Sequence, residues 1–416
     1  MRFVEEEKLL SCVHCGFCLQ ACPTYLETGS EADSPRGRIL LIQALEEGRI
    51  EADASVRAHL DGCLGCRACE PACPAGVPYG SLIEAARPFV EQSRPLPSRL
   101  ARRALARVLT AAAPRRLAGR LLRPLLGHPA LARLARRIPL APLAYAAALS
   151  ADPEGTPLPR VLEARGPSRG TVALLEGCVA ETAFRATNRA TARLLAHAGY
   201  RVVVPAAAGC CGALPLHLGD AVASRALATK LARIAAETDA DWIVPTAAGC
   251  GAHLQGLAEL LPDDPHAAQL AAKVRDPLSL LAQGGLPVPP HAIAQKVAVH
   301  EPCHLIHAQH VSDEVRVLLG TITGLELVPL MEADVCCGSA GTYNLTQPAM
   351  ARRLRDRKLR NIHQSGAALI AAANPGCLLQ IRAGAILDEA PFEIVHPIDL
   401  LARAHGLEAR TARNGG

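Results

Sequence analysis

Aromatic residues are scarce in this 416-residue sequence, at 3%, although hydrophobic residues reach 50%. Leu, Val, Ile and Ala must therefore fill its cores, and the length predicts two to four domains. No run of about 18 uninterrupted apolar residues occurs, which excludes a predicted transmembrane helix. The N-terminus, MRFVEEEKLL, lacks the basic n-region and apolar h-region of a secretory signal. A cytoplasmic location is expected, where thiols stay reduced and clustered cysteines indicate metal rather than disulfides. The net charge of +5 says little by itself, because the basic residues are unevenly spread. Acidic residues are missing altogether from 94–150, a segment with twelve arginines and repeated prolines. Short basic amphipathic helices separated by proline breaks fit that pattern. The segment reads as a connector whose arginines are solvated or paired to acidic partners, with peripheral contact to the inner face of the cell membrane as a second role. No aromatic platform accompanies the basic charge, so nucleic acid is not expected as a partner.

Cysteine, by contrast, is abundant and ordered. Eight of the sixteen lie in two identical runs, Cys12-x2-Cys15-x2-Cys18-x3-Cys22-Pro23 and Cys63-x2-Cys66-x2-Cys69-x3-Cys73-Pro74. This is the spacing of bacterial ferredoxins, which holds [4Fe–4S] clusters and sends the fourth cysteine of each run to the other cluster. The spacing predicts one cluster on Cys12, Cys15, Cys18 and Cys73, and a second on Cys63, Cys66, Cys69 and Cys22. Zinc held by four thiolates normally uses two CxxC pairs rather than a triplet plus one. Apolar residues between the runs, Ile39, Leu40, Ile42 and Leu45, repeat with helical spacing. Residues 1–93 are therefore predicted to form a mainly α two-cluster module, and 94–167 a basic helical linker.

The other eight cysteines form two matched sets, Cys178, Cys210, Cys211, Cys250 and Cys303, Cys336, Cys337, Cys377. The offsets between them are 125 (178 to 303), 126 (210 to 336), 126 (211 to 337) and 127 (250 to 377). Four landmarks that drift so little mark a duplication, assigned to 168–290 and 291–416. Strand-like runs precede the cysteines in both copies, giving the order β–Cys–α–β–CysCysGly–α–β–Cys–α and a mainly parallel α/β sheet. The prolines and glycines of 261–290 read as a boundary between the copies. Each cysteine set falls where the strands end and helices begin, the position at which open α/β sheets bind ligands. Gly212 and Gly338 allow close backbone approach. Each set can hold a further [4Fe–4S] cluster or a zinc ion, or can be a decayed site of small buried cysteines. His300, His304, His307 and His310 surround Cys303 at near-helical spacing, and His217 follows the first Cys-Cys-Gly. Roles beside the metal or at the surface are expected for them, as for His14, which tunes the environment of the first run.

The runs CVHCGFCLQACPTY, SPRGRI at 34–39, CLGCRACEPACPAGVPY and CCGSAGTYNL at 336–345 resemble the iron–sulfur subunit of bacterial glycolate oxidase over essentially the whole chain. The resemblance implies an electron-transfer subunit beside flavin-binding oxidase subunits that convert glycolate to glyoxylate, with a quinone-type acceptor. The chain itself offers no nucleophile–base pair and no nucleotide-binding glycine loop, so catalysis by it alone is not expected. A subunit of a lactate or glycerol 3-phosphate dehydrogenase is the neighbouring alternative. The Cys-Cys-Gly repeats are also similar to the catalytic subunit of heterodisulfide reductase, whose repeats end in C-x2-C. Here the ends read Cys250-Gly-Ala-His253 and Cys377-Leu-Leu-Gln380, so each copy lacks the fifth cysteine that disulfide chemistry requires there.

Overall fold

A computed structural model describes residues 3–114, 117, 134, 145, 148, 158–206 and 208–408. The N-terminal module is helical, with helices Pro23–Thr28, Pro35–Glu46, Ala54–Asp61 and Tyr79–Gln92 around the two cysteine runs. Sequence signals start these helices. Ser34 caps the second by accepting from the Gly37 amide at 3.0 Å, and Pro35 occupies its first turn. Asp53 caps the third in the same way through the Val56 amide. Ile39, Ile42, Leu45, Leu60, Leu82, Ile83 and Val90 form the module's core. Ile42 and Leu82 are fully buried, and each stabilises the fold by about 2 kcal/mol.

The two repeats are four-stranded sheets. In the first, β1 (Val161–Leu162), β2 (Thr171–Leu175), β3 (Arg201–Val203) and β4 (Trp242–Pro245) lie in the order β1-β3-β2-β4. In the second, β5 (Lys296–His300), β6 (Glu326–Val328), β7 (Leu369–Ala372) and β8 (Glu393–Val395) lie in the order β6-β5-β7-β8. The three-stranded parallel units β3-β2-β4 and β6-β5-β7 correspond strand for strand. The fourth strands do not. β1 precedes its unit and pairs antiparallel with β3, whereas β8 follows its unit and pairs parallel with β7. The first sheet thus begins inside 94–167, upstream of the boundary read at 168.

Alternation along the strands divides the apolar residues between two faces. Val172 and Leu174 of β2, with Val297 and Val299 of β5, enter a core common to both repeats. Helix Arg185–His197 packs there against helix Pro397–Ala404, and helix Pro277–Gly284 against helix Asp313–Gly320. Ala173 and Leu175 face a second core in the first repeat, and Ala298 faces its equivalent in the second. The 261–290 stretch between the copies is itself partly helical. Pro265 and Pro277 begin helices capped by Asp264 and Asp276, and Leu270, Leu278 and Leu281 are buried. Proline at a helix start is favourable because no amide donor is lost there.

In the arginine-rich segment, helix Leu96–Thr110 lies against the first repeat. Arg94 pairs with Asp61 and Glu91, Arg102 with Glu91 at 3.0 Å, and Arg103 with Asp220 at 3.8 Å. Those arginines act as internal ion-pair partners, as expected of a connector. Most of 115–157, including the further helices read there, lies outside the described residues. Among the described residues, no helix is long and apolar enough to cross a membrane.

Candidate metal centres

The eight cysteines of the N-terminal module line two adjoining cavities. One, of about 400 Å³, is lined by Cys12, Cys15, Cys18 and Cys73, with Cys69 at its wall. The other, of about 290 Å³, is lined by Cys22, Cys63, Cys66 and Cys69. Folding therefore brings the last cysteine of each run to the first three of the other. The cavities differ in their surroundings. Cys15 is exposed, as are Val13 and Phe17 beside it, whereas Cys22, Cys63, Cys66 and Cys69 are buried.

The SPRGRI residues support the buried cavity. A Cβ at Gly37 would stand 2.0 Å from the Glu31 carbonyl oxygen, so only glycine lets the helix start so close to that loop. This seats Arg38, 1% exposed, with its guanidinium donating to Thr24 Oγ1 at 3.0 Å and to the His59 carbonyl at 2.7 Å. Burial opposes the Arg38 charge, but Tyr79, Cys63, Cys22 and Asp33 outweigh that effect and raise its pKa. Cys63 Sγ accepts from the Gly65 amide at 3.3 Å and from the Tyr79 hydroxyl at 3.5 Å. Burial pushes the Cys66 thiol up, and the nearby Cys303, Cys22 and Cys63 sulfurs push it further. Burial, Cys66 and Cys63 do the same to Cys69. Two buried thiols that resist ionisation in this way suit a cationic metal group, which would stabilise the thiolates.

Each repeat gathers its own four cysteines at the carboxyl ends of its strands. In the first, Cys211 Sγ lies 3.2 Å from Cys250 Sγ, and Cys210 is hydrogen-bonded to Cys178 and Cys211. Cys178 lowers the Cys210 pKa, but the Cys211 contact and burial prevail and push it up to about 12. In the second, Cys303 Sγ lies 4.0 Å from Cys336 Sγ, and Cys337 bridges Cys336 to Cys377. The two glycines after the paired cysteines play one role. Gly212 and Gly338 adopt φ of 101° and 84°, and a Cβ on them would stand 2.8 Å from the carbonyl oxygens of Ser224 and Ala351, in helices Ala221–Glu237 and Pro348–Ser365.

The histidines separate. The near-helical spacing read around Cys303 is not helical in the fold, because His300 ends β5 while His304–Ala308 forms a π-helical turn. Of the four histidines around Cys303, His300 is the one grouped with cysteines as donor atoms. It is 1% exposed, and its ligand atom lies within 4.8 Å of those of Cys337 and Cys377. His304 Nε2 donates to the Gly65 carbonyl at 2.8 Å and its ring stacks on His217, which contacts Arg87 at 3.2 Å. His310 is exposed, and exposed His14 lies 3.8 Å from Cys12 Sγ. At the position of the missing fifth cysteine, Gln380 donates to the Ala351 carbonyl and His253 is held neutral by burial, with a pKa of about 4.

The N-terminal module meets both repeats at these cysteine-bearing ends. Cys66 shares an apolar cluster with Cys336, Tyr343 and Leu354, with Cys303 packed against it. Tyr343 donates to the Gly62 carbonyl at 2.9 Å, which gives the tyrosine of CCGSAGTYNL a structural task. Arg357 joins Glu27 of the module to Glu332 of the second repeat. Sequence reasoning missed Arg38, Arg87 and Lys358. Arg38 lay inside the SPRGRI run, whereas Lys358 was one basic residue among many in the helix Pro348–Ser365.

The comparisons agree with this geometry. The 4Fe-4S dicluster domain family matches residues 8–77, and the cysteine-rich domain family matches 172–255 and 297–382. A probable glycolate oxidase iron-sulfur subunit from Bacillus subtilis (strain 168) is 38% identical over 423 residues, covering 97% of this chain and 95% of its own. The chain belongs to the glycolate oxidase iron–sulfur subunit family. A second member, from Escherichia coli (strain K12), is also 38% identical and covers 90% of each chain. Lactate utilization protein A from Exiguobacterium sp. (strain ATCC BAA-1283 / AT1b) is 28% identical and matches 55% of this chain. Membership makes this chain an iron–sulfur component of an oxidoreductase, with an electron-transfer role.

Proposed function

We propose that this chain is the electron relay of a glycolate oxidase, taking electrons from a flavin-binding subunit that oxidises glycolate to glyoxylate and passing them to a quinone-type acceptor. Cys12, Cys15, Cys18 and Cys73 hold one [4Fe–4S] cluster, and Cys63, Cys66, Cys69 and Cys22 hold the second. Each Cys-Cys-Gly set holds one further metal centre. The observation that carries this reading is the division of eight cysteines between two adjoining cavities, with Cys66 packed beside Cys336 and Cys303. Bound clusters supply one-electron stations, so a two-electron oxidation on a flavin can be drained in single steps.

The residues around the cavities set the terms. Arg38 places a positive charge beside Cys22 and Cys63, and the Gly65 and Tyr79 donors stabilise the more negative, reduced state on Cys63. The cavity at Cys15, with exposed Val13 and Phe17, faces a partner, while the buried cavity faces the repeats. Anaerobic reconstitution followed by iron and sulfide determination tests the reading. At least eight irons per chain are expected from two four-iron clusters, and trace iron would sink it.

A lactate-oxidising complex is a second reading, favoured by the lactate utilization relatives. Co-purification with a flavoprotein and a substrate panel separates the two. Weak peripheral membrane attachment through 94–150 belongs to the same proposal. Liposome flotation at low salt tests it, and binding should fall as salt screens the arginines.

A further inference from the structure

The second repeat carries a buried imidazole that the mechanism above leaves unused. His300 is the last residue of β5, in register with Ala372 of β7. The pleat puts it on the same face as Ala298, toward Cys337 and Cys377. Its Nδ1 lies 3.0 Å from the Ala333 carbonyl. A carbonyl can only accept, so Nδ1 carries the proton and Nε2 of the neutral ring presents a lone pair. That Nε2 is shut off from solvent and has no hydrogen-bond partner. A buried polar atom of this kind is costly unless something satisfies it. Metal-binding histidines commonly donate their other ring N–H to a backbone carbonyl in this way.

At the matching strand end the first repeat has no imidazole. The residue 125 positions earlier is Leu175, also the last of its strand, in register with Pro245 and buried against apolar neighbours. Lys358 sharpens the contrast. It is 2% exposed, and its ammonium donates to the Glu332 and Ala333 carbonyls. The matching helix of the first repeat has buried Leu231 and Ala232 there. At these two positions the second copy carries an imidazole and an ammonium, where the first carries alkyl side chains, its own buried His253 lying instead beside Gly212.

We propose that the second repeat binds its metal through nitrogen as well as sulfur, with His300 Nε2 and the Cys337 and Cys377 sulfurs ligating one zinc ion, or each a different iron of one cluster, a grouping that the described residues of the first repeat lack. This rests on the reading that the repeats hold metal and adds the ligand that distinguishes them. Three donors grouped within 4.8 Å can share a single metal atom after a small contraction, since Zn–S and Zn–N bonds are about 2.3 and 2.0–2.1 Å. With iron, replacing thiolate by imidazole raises the reduction potential. The second repeat would then be the more oxidising of the two.

The test uses the full chain, purified anaerobically with its metals, with and without ¹⁵N-histidine. Pulsed electron paramagnetic resonance reports a histidine nitrogen bound to paramagnetic iron, and zinc-edge X-ray absorption reports a nitrogen neighbour of zinc. A directly bound histidine nitrogen is expected in the natural protein and is lost in His300→Ala, with the iron of the N-terminal module unchanged. His300→Cys should keep the metal and exchange the nitrogen for sulfur, which guards against a His300→Ala chain that fails to fold. The proposal is overturned if the second repeat's metal shows sulfur ligands alone, or if the nitrogen signal survives in His300→Cys. A metal count showing nothing in the repeats beside intact N-terminal clusters defeats the repeat sites themselves, whereas trace iron throughout defeats the relay.

Discussion

The two Cys-Cys-Gly repeats share a three-stranded parallel unit, a gathered set of four cysteines and a tight glycine, yet their surroundings have diverged. Around the second set stand His300 and Lys358, and Cys66 of the N-terminal module packs directly against it. Around the first stand Leu175, Leu231 and Ala232, in a core of its own with Cys211. A duplication preserves what the backbone needs and frees what the site needs. The glycine after each cysteine pair is a backbone requirement, so both copies keep it. The imidazole at the strand end and the ammonium on the helix are site features, and the copy beside the buried cluster cavity has them where the first has Leu175 and Ala232.

The sharpest way to break this comparison is to remove one cysteine from each copy. Cys336→Ala should slow reoxidation of the N-terminal clusters by at least about tenfold, equivalent to 1.36 kcal/mol of barrier, whereas Cys210→Ala should leave that rate within about twofold. Stopped-flow absorbance of the reduced complex mixed with a quinone reads the difference, and equal effects would remove the assigned route. The glycines come next. Gly212→Ala and Gly338→Ala each force a left-handed backbone and a 2.8 Å contact, so each should cost about 2–4 kcal/mol. Denaturant melts should show similar losses, and a clear inequality would mean that the two turns are not equivalent.

Smaller effects concern how the N-terminal module is anchored. Arg357 binds both Glu27 and Glu332, and this contact holds the Glu332 carboxyl at about 2 against an ordinary 4.5. A depressed acid contributes stability above its unfolded pKa and loses it as pH falls, here between about 4.5 and 2. Arg357→Ala should therefore destabilise the fold by about 1 kcal/mol at neutral pH, a figure discounted for partial solvent screening, and the deficit should vanish in that acid window. Thermal melts of both proteins across pH check the sign. At the first repeat, the more exposed Lys8–Glu259 pair should matter least, with Lys8→Ala shifting stability by under about 0.5 kcal/mol.

Much of this was legible in the sequence because cluster-binding loops and duplications have fixed spacing. The ferredoxin-type runs, the β–Cys–α order and the close approach at Gly212 and Gly338 are all local properties, and the fold displays them. The prolines of 261–290, read as a boundary between the copies, also start helices there, because one residue type both ends chain segments and starts helices, and the Asp264 and Asp276 caps show the latter. The spacing at His300, His304 and His307 looked helical, yet strand end and π-helical turn separate those residues.

By itself the sequence determined the thiol inventory, its 8 + 4 + 4 partition and the parallel α/β character of each copy, since these depend on neighbours along the chain. Tertiary structure alone decided which cavity is buried, which repeat Cys66 touches and which histidine faces Cys337 and Cys377. Those outcomes depend on desolvation and on carbonyl partners such as Ala333, brought 33 residues from His300 by folding.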